Sequence, residues 1–335
     1  MRNFEWLEPR TLEEALAALD AGAKPLAGGV DLLGELKDHI AAPKRIVNLK
    51  RVPGLNTLRR ESDGLHLGAL VRLDEIEMHP EIRRHYRALA EAAASVGTPQ
   101  IRNQGTLGGN LCQRPRCWYY RSEFHHCLKK GGGICYALAG ENKYHAILGG
   151  GPAFYAHPSD LAPALIALDA RARIASLDAR RRLRRRTLPL EEFFRTPAQR
   201  LVGGETLLGA HELLVEVIVP PAGESRYLKF RERPSHDWAL VSCAAHLKLA
   251  AGRVREARIV LGGVAPVPWR AQAAERTLAG LPLEEALGER RLKLAAEAAL
   301  AGAEPLRQNW YKITLAQTLV RRAVEAAAGR EIVNV

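Results

Sequence analysis

Across the first fifty residues the apolar positions switch between a spacing of two and a spacing of three to four, in the order strand, helix, strand, helix, strand. That alternation confines the opening of the chain to a small βαβαβ-like unit. A strand is expected around Phe4 to Leu7. Thr11 with Glu14 reads as a capping box, Leu12, Ala15, Leu16 and Leu19 form one apolar stripe, and Gly22 stands where a left-handed C-cap belongs. A short strand, Lys24 to Ala27, then runs into Gly28-Gly29-Val30-Asp31-Leu32 and a second helix to about Ile40, with Arg45 to Leu49 as the next strand. The Pro53-Gly54 turn signal closes this unit.

At 335 residues the chain exceeds what one core usually organises. From Leu55 a second unit is expected, with a strand over Leu65 to Val71, a helical stretch from Pro80 to Ser95, a helix over Leu161 to Leu168 and a strand over Leu213 to Val219 that stops at Pro220-Pro221. Between Gly105 and Gly151 the sequence is loop-rich. Beyond the prolines, strands Trp238 to Ala250 and Val254 to Val264 precede helical stretches from about Arg270, Leu283 and Trp310, a compact α+β domain. The division read from the sequence is 1–54, 55–221 with an insertion at about 111–150, and 222–335.

Charge and cysteine usage narrow the function. The net charge is +12, and six of the seven residues from Arg180 to Arg186 are arginine, but no aromatic residues interleave with them. A solvated hairpin or a subunit contact is therefore expected, and no nucleic acid. The N-terminus is acidic where a secretory signal is basic, and no apolar run reaches membrane-spanning length, so the expectation is an untargeted cytoplasmic chain. Of five cysteines, four fall between Cys112 and Cys135, and Cys243 lies in an apolar strand as a core residue. Clustered thiols in a reducing compartment point to metal.

Two glycine turns point to an anionic cofactor. In Ala27-Gly28-Gly29-Val30-Asp31-Leu32 a strand ends, paired glycines permit close backbone approach, and a helix begins, a setting that favours phosphate. Asn103-Gln104-Gly105-Thr106-Leu107-Gly108-Gly109-Asn110 is a second such turn. One turn per subdomain could grip a diphosphate from both sides, with Thr106 and Asn110 adding hydrogen bonds. No G-x-G-x-x-G follows a strand, so the Rossmann fingerprint is absent.

Four stretches spread along nearly the whole chain carry a family resemblance: AGGVDLL, IRNQGTLGGNL, AHPSDLAPAL and LGGVAPVPWRA. The sequence resembles the FAD-binding subunit of the xanthine dehydrogenase family of molybdenum hydroxylases. The resemblance implies an α+β fold with a two-subdomain FAD-binding domain of the PCMH or vanillyl-alcohol-oxidase-like type, followed by a C-terminal domain of antiparallel sheet and helices. It implies that Ala27, Gly28, Gly29, Val30, Asp31 and Leu32, with Thr106, Gly108, Gly109 and Asn110, hold the FAD diphosphate, and it gives Asp160 a flavin role. Lys229 and Arg231 match positions near the flavin ring, where a cation would favour the reduced anion, although both also read as charges flanking a strand. A molybdopterin-binding large subunit, a small subunit with 2Fe-2S clusters and a soluble acceptor, NAD or ferredoxin, are the implied partners. No catalytic residue is implied on this chain.

Most members of that family lack the segment spaced Cys112-x4-Cys117-x9-Cys127-x7-Cys135. Zinc sites favour short C-x2-C pairs, and the wider gaps here suit an iron–sulfur cluster reached from separate points of a loop. The insertion is similar to that in the flavin subunits of 4-hydroxybenzoyl-CoA reductase and bacterial aldehyde oxidoreductases, which implies an additional 4Fe-4S cluster. Arg114-Pro115-Arg116-Cys117-Trp118-Tyr119-Tyr120 matches the aldehyde oxidoreductase type. The fourth ligand is open between Cys112 and His145, with Cys112 preferred because thiolate is the usual ligand. His125 and His126 adjoin Cys127, and Trp118, Tyr119 and Tyr120 are expected to shield the site. A basic nucleic-acid-binding protein with structural zinc is the competing reading.

Overall fold

The computed structural model describes residues 1–233 and 236–331. Its first sheet is parallel, as the alternating periods predict: β1 (Glu5–Leu7), β2 (Ala23–Leu26) and β3 (Arg45–Asn48) lie in the order β1-β3-β2, with helices Leu12–Ala17 and Leu32–Lys37 as crossovers. Only half of the predicted capping box forms. Thr11 Oγ1 accepts from the Glu14 amide at 3.1 Å, but the Glu14 carboxylate accepts from the Arg10 amide at 2.7 Å. The helix caps at Ala18, and Gly22 is not left-handed; its carbonyl accepts instead from the Lys44 amide at 2.8 Å, tying the start of β2 to the approach to β3.

The second sheet is antiparallel, with β4 (Leu58–Glu61), β5 (Gly64–Gly68), β6 (Arg171–Leu177), β7 (Leu183–Pro189) and β8 (Leu213–Val219) in the order β4-β5-β8-β6-β7. The strand expected to reach Val71 ends at Gly68. Past that point the chain turns to receive the second glycine turn, and the carbonyls of Ala69 and Val71 accept from the amides of Gly108 at 2.8 Å and Leu107 at 2.9 Å. The arginine-rich hairpin forms as predicted from β6 and β7. Its outer strand is a sheet edge with Arg184, Arg185 and Arg186 in solvent, and such charge blocks pairing with another strand. Asp178 pairs with Arg182 and Arg184, and Glu212 with Arg186.

The helical stretch expected from Pro80 to Ser95 breaks at the buried Tyr86 into Pro80–His85 and Arg87–Ala94. The break redirects the second piece onto the third sheet, where the Ala88 amide donates to Ser225 Oγ at 3.3 Å.

That sheet holds β9 (Glu224–Phe230), β10 (Val241–Ala250), β11 (Arg253–Gly262) and β12 (Trp269–Arg270), antiparallel in the order β12-β11-β10-β9. The two long strands are each shorter than predicted, and the helical stretch from Leu283 splits at Gly288 into Leu283–Ala286 and Glu289–Ala299. Helices Gln272–Leu278, Glu289–Ala299 and Tyr311–Ala327 cover one face, burying Val241, Cys243, Ala245 and Leu247. Cys243 is thus the core residue the sequence predicts. From the opposite face Tyr227, Ala244 and Val260 enter the core of the second sheet. No helix among the described residues is long and apolar enough to cross a membrane.

Candidate functional site

A cleft of about 720 Å³ opens between β2 of the first sheet, loops of the second unit and β9 of the third sheet. Ala27, Gly28, Gly29, Val30, Asp31 and Leu32 line it from the first sheet, Thr106, Gly109 and Asn110 from the second turn, and Asp160 and Lys229 from deeper in the molecule. The two turns also touch each other: a Cβ on Gly28 would lie 1.9 Å from the Gln104 carbonyl oxygen. Gly29 adopts φ +80°, which side chains disfavour. Gly108 does not line the cleft. It is packed beneath it, where a Cβ would meet the Ala69 carbonyl oxygen at 2.9 Å.

The two turns are chemically unequal. Among the described residues the amides of Gly28, Gly29 and Val30 donate to no protein acceptor, leaving a run of donors on the cleft wall. In the second turn Leu107, Gly108, Gly109 and Asn110 all spend their amides within the protein, on Val71 O, Ala69 O, Thr106 Oγ1 and Thr106 O. What that turn offers is the Thr106 hydroxyl and the Asn110 side chain, whose Oδ1 accepts from Ser159 Oγ at 2.6 Å. Free amides at the end of a strand suit a phosphate, so these residues fit a dinucleotide of the FAD type.

Asp160 is fully engaged. Its carboxylate accepts from Tyr227 OH at 2.6 Å and pairs with Lys229 Nζ at 2.7 Å, and Lys229 also donates to the Ser95 carbonyl at 3.0 Å. Burial, with the Asp160 charge beside it, pushes the Tyr227 phenol far up, so it stays a donor. Lys229 therefore presents a compensated cation to the cleft, while Arg231 does not line it. Behind Asp160, burial depresses His157 to about 3.

Sequence reasoning missed a set of charges beneath the first turn. Asp31 pairs with Arg116 at 2.8 Å and Arg121 at 2.7 Å and accepts from the Arg114 amide at 2.7 Å. Glu205, almost wholly buried, pairs with Arg114 at 3.2 Å and Lys129 at 3.1 Å. Tyr120 OH donates to Glu35 at 2.6 Å, and the Arg116 guanidinium lies 4.9 Å from the Trp238 ring centre. The cysteine loop is thereby tied to the helix that follows the first glycine turn. Three arginines bracketing Cys117 were the available signal.

The four clustered cysteines separate into two places. Cys117, Cys127 and Cys135 surround one small cavity of about 20 Å³ with Tyr119, Tyr120, Tyr136 and Tyr155, whereas Cys112 lines the large cleft. Burial lifts the Cys117 thiol to about 11, opposed by the amides of Tyr120 and Tyr119 and reinforced by Cys127 and Cys135; burial lifts Cys112 to about 12, with Glu205 adding to it. His145 Nε2 lies 3.2 Å from Cys117 Sγ, and burial lowers this histidine to about 4. The three thiols do not all fall within 4.8 Å of one another. His125 stacks edge-on against Tyr119 and Tyr136, each at 5.2 Å, and Trp118 against Tyr144 at 5.3 Å.

Comparison with known proteins agrees with this geometry. Residues 2–222 match the family model of the FAD binding domain in molybdopterin dehydrogenase, and residues 226–327 that of the CO dehydrogenase flavoprotein C-terminal domain. The aldehyde oxidoreductase FAD-binding subunit PaoB of Escherichia coli K12 is 35% identical over 336 residues, covering 98% of this chain and 99% of that one. The carbon monoxide dehydrogenase medium chain of Hydrogenophaga pseudoflava is 29% identical over 339 residues, covering 98% of each. A solved structure of carbon monoxide dehydrogenase from the same organism superposes with a TM-score of 0.75 at 29% identity over 99% of both chains. Fold and cleft together define an oxidoreductase flavoprotein subunit, a PCMH-like FAD-binding domain followed by a C-terminal domain. The chain belongs to the FAD-binding, medium-chain subunits of the xanthine dehydrogenase and CO dehydrogenase family.

Proposed function

We propose that this chain works as the electron-transferring flavin subunit of a molybdenum hydroxylase complex, beside a molybdopterin-binding large subunit and a small subunit with 2Fe-2S clusters. Electrons leave for a soluble acceptor, NAD or ferredoxin. The observation that carries this reading is the run of free amides at Gly28, Gly29 and Val30, facing Thr106 and Asn110 across one cleft. FAD would supply the exchange between single electrons and electron pairs. The first turn would hold the diphosphate by backbone donors, Thr106 and Asn110 would add side-chain bonds, and Asp160 would hold Lys229 in place beside the cleft. We divide the chain into 1–54, 55–221 and 222–335. No residue of the chain is assigned substrate chemistry.

The loop at 111–150 is further proposed to hold a 4Fe-4S cluster through Cys117, Cys127, Cys135 and a fourth ligand. Support comes from the convergence of three thiols on one cavity. The test of both parts is to purify the chain with its copurifying subunits and measure flavin, iron, zinc and molybdenum per chain. The expected sample is yellow-brown, with one flavin and iron in excess of what the small subunit binds. A folded, intact complex without flavin would end the first proposal, and zinc in place of that iron would end the second.

A further inference from the structure

We propose that the cluster's fourth ligand is the imidazole of His145, through Nε2, and that Cys112 belongs to the flavin cleft and takes no part. This rests on the reading of the loop as a cluster site. Neither residue stands on the wall of the cysteine cavity, so the argument turns on which can join it. His145 is one contact away, with Nε2 3.2 Å from Cys117 Sγ. Ligands of different irons lie farther apart than hydrogen-bonded atoms do, so the ring must swing as the cluster enters. Its Nδ1 is buried and has no hydrogen-bond partner among the described residues, so the swing breaks nothing there.

The backbone of His145 is fixed meanwhile. Its amide donates to Asn142 O at 3.0 Å, and its carbonyl accepts from Asn309 Nδ2 and Lys312 Nζ, each at 3.1 Å. Cys112 is held differently. It caps the helix Leu107–Leu111, donating its amide to Gly108 O at 2.9 Å, so moving it toward the other thiols would unwind the turn that carries Thr106 and Asn110.

Other candidates around the cavity are spoken for. Tyr119 OH accepts from the Glu141 amide, Tyr120 OH donates to Glu35, and Lys129 pairs with Glu205. Tyr155 OH has no hydrogen-bond partner among the described residues, and its replacement by phenylalanine separates it from His145. A neutral imidazole in place of a thiolate leaves the cluster one negative charge poorer, which raises its reduction potential.

The test uses the full chain, purified anaerobically, in wild type and in His145→Ala, His145→Cys, Cys112→Ser and Tyr155→Phe. Iron per chain, the electron paramagnetic resonance spectrum, nitrogen hyperfine coupling and midpoint potential are read. Cys112→Ser and Tyr155→Phe are expected to keep wild-type iron and spectrum, while His145→Ala loses the fourth iron or the whole cluster. His145→Cys is expected to restore the iron, abolish the nitrogen coupling of a directly bound imidazole, and lower the potential. The coupling in wild type decides the matter even if His145→Ala misfolds. Loss of the cluster in Cys112→Ser alone, or a four-iron cluster in wild type without that coupling, overturns the assignment. A wild-type chain that holds no iron fails the underlying cluster reading instead, which the metal analysis reports separately.

Discussion

A methyl group added at Gly28 would stand 1.9 Å from the Gln104 carbonyl oxygen, a backbone atom that cannot swing aside. Gly28→Ala must therefore push the two turns apart, at a cost of about 1–3 kcal/mol for an overpacked site. Because the displaced turns line the same cleft, the variant is expected to lose flavin as well as thermal stability; flavin absorbance per chain and the melting midpoint measure both, and full flavin occupancy would contradict the role given to the contact. His157 is a second residue with a sign that can be worked out. Burial holds it at about 3, against an ordinary 6.5. Between those values the unfolded chain binds a proton that the folded chain refuses. Stability at this site is intact above 6.5 and drains as the pH falls toward 3. His157→Asn keeps an acceptor for the Ser159 amide, which donates to Nδ1 at 3.3 Å, but does not titrate. Urea midpoints taken at about pH 7 and about pH 4 should thus differ less in the variant than in wild type.

At the scale of elements, the cysteine loop behaves as an extension of the helix Leu32–Lys37, because Asp31 and Glu35 on successive turns receive Arg116, Arg121 and Tyr120. Tyr120→Phe leaves the buried Glu35 carboxylate short of a donor, which costs about 1–3 kcal/mol. The loop between Cys112 and Cys135 is then expected to be cut faster by protease than the rest of the chain, and an unchanged cleavage rate would show that other contacts hold it. The arginines around Cys117 were visible in the sequence but their partners were not, since the pair Asp31 and Arg121 lies 90 positions apart and ion-pair partners leave no periodic trace. Local patterns were legible. The alternation of periods gave the parallel first sheet, and β8 was predicted to the residue, because proline at 220 cannot continue the ladder. Where prediction overran, as at Gly68 or Tyr86, distant contacts decide the ending, and apolar pattern alone cannot report them. The glycine turns were readable for the same reason as the prolines: each is a backbone requirement written at its own position. That the second turn spends its amides on Val71 and Ala69 was not, and neither was the separation of Cys112 from its three neighbours.

For the molecule as a whole, the boundary near residue 222 marks where two family matches meet, but no core ends there. Tyr227, Ala244 and Val260 pack with Leu67, Leu165 and Val217 in one cluster, and Lys229 compensates the buried carboxylate of Asp160 from across the same boundary. Splitting the chain would expose that apolar face and leave Asp160 buried without its cation, a loss of about 3–5 kcal/mol for the ion pair alone. A fragment of residues 1–222 carries both glycine turns and most of the cleft lining. It is nevertheless expected to bind hydrophobic dye, to retain little flavin, and to lack a cooperative melt. The intact chain should unfold in one transition, with flavin fluorescence and far-ultraviolet circular dichroism changing together, because the units share a core and a cleft. Two separated transitions in the intact chain, or a fragment that melts cooperatively with its flavin bound, would mean that the first two units fold and bind without the third.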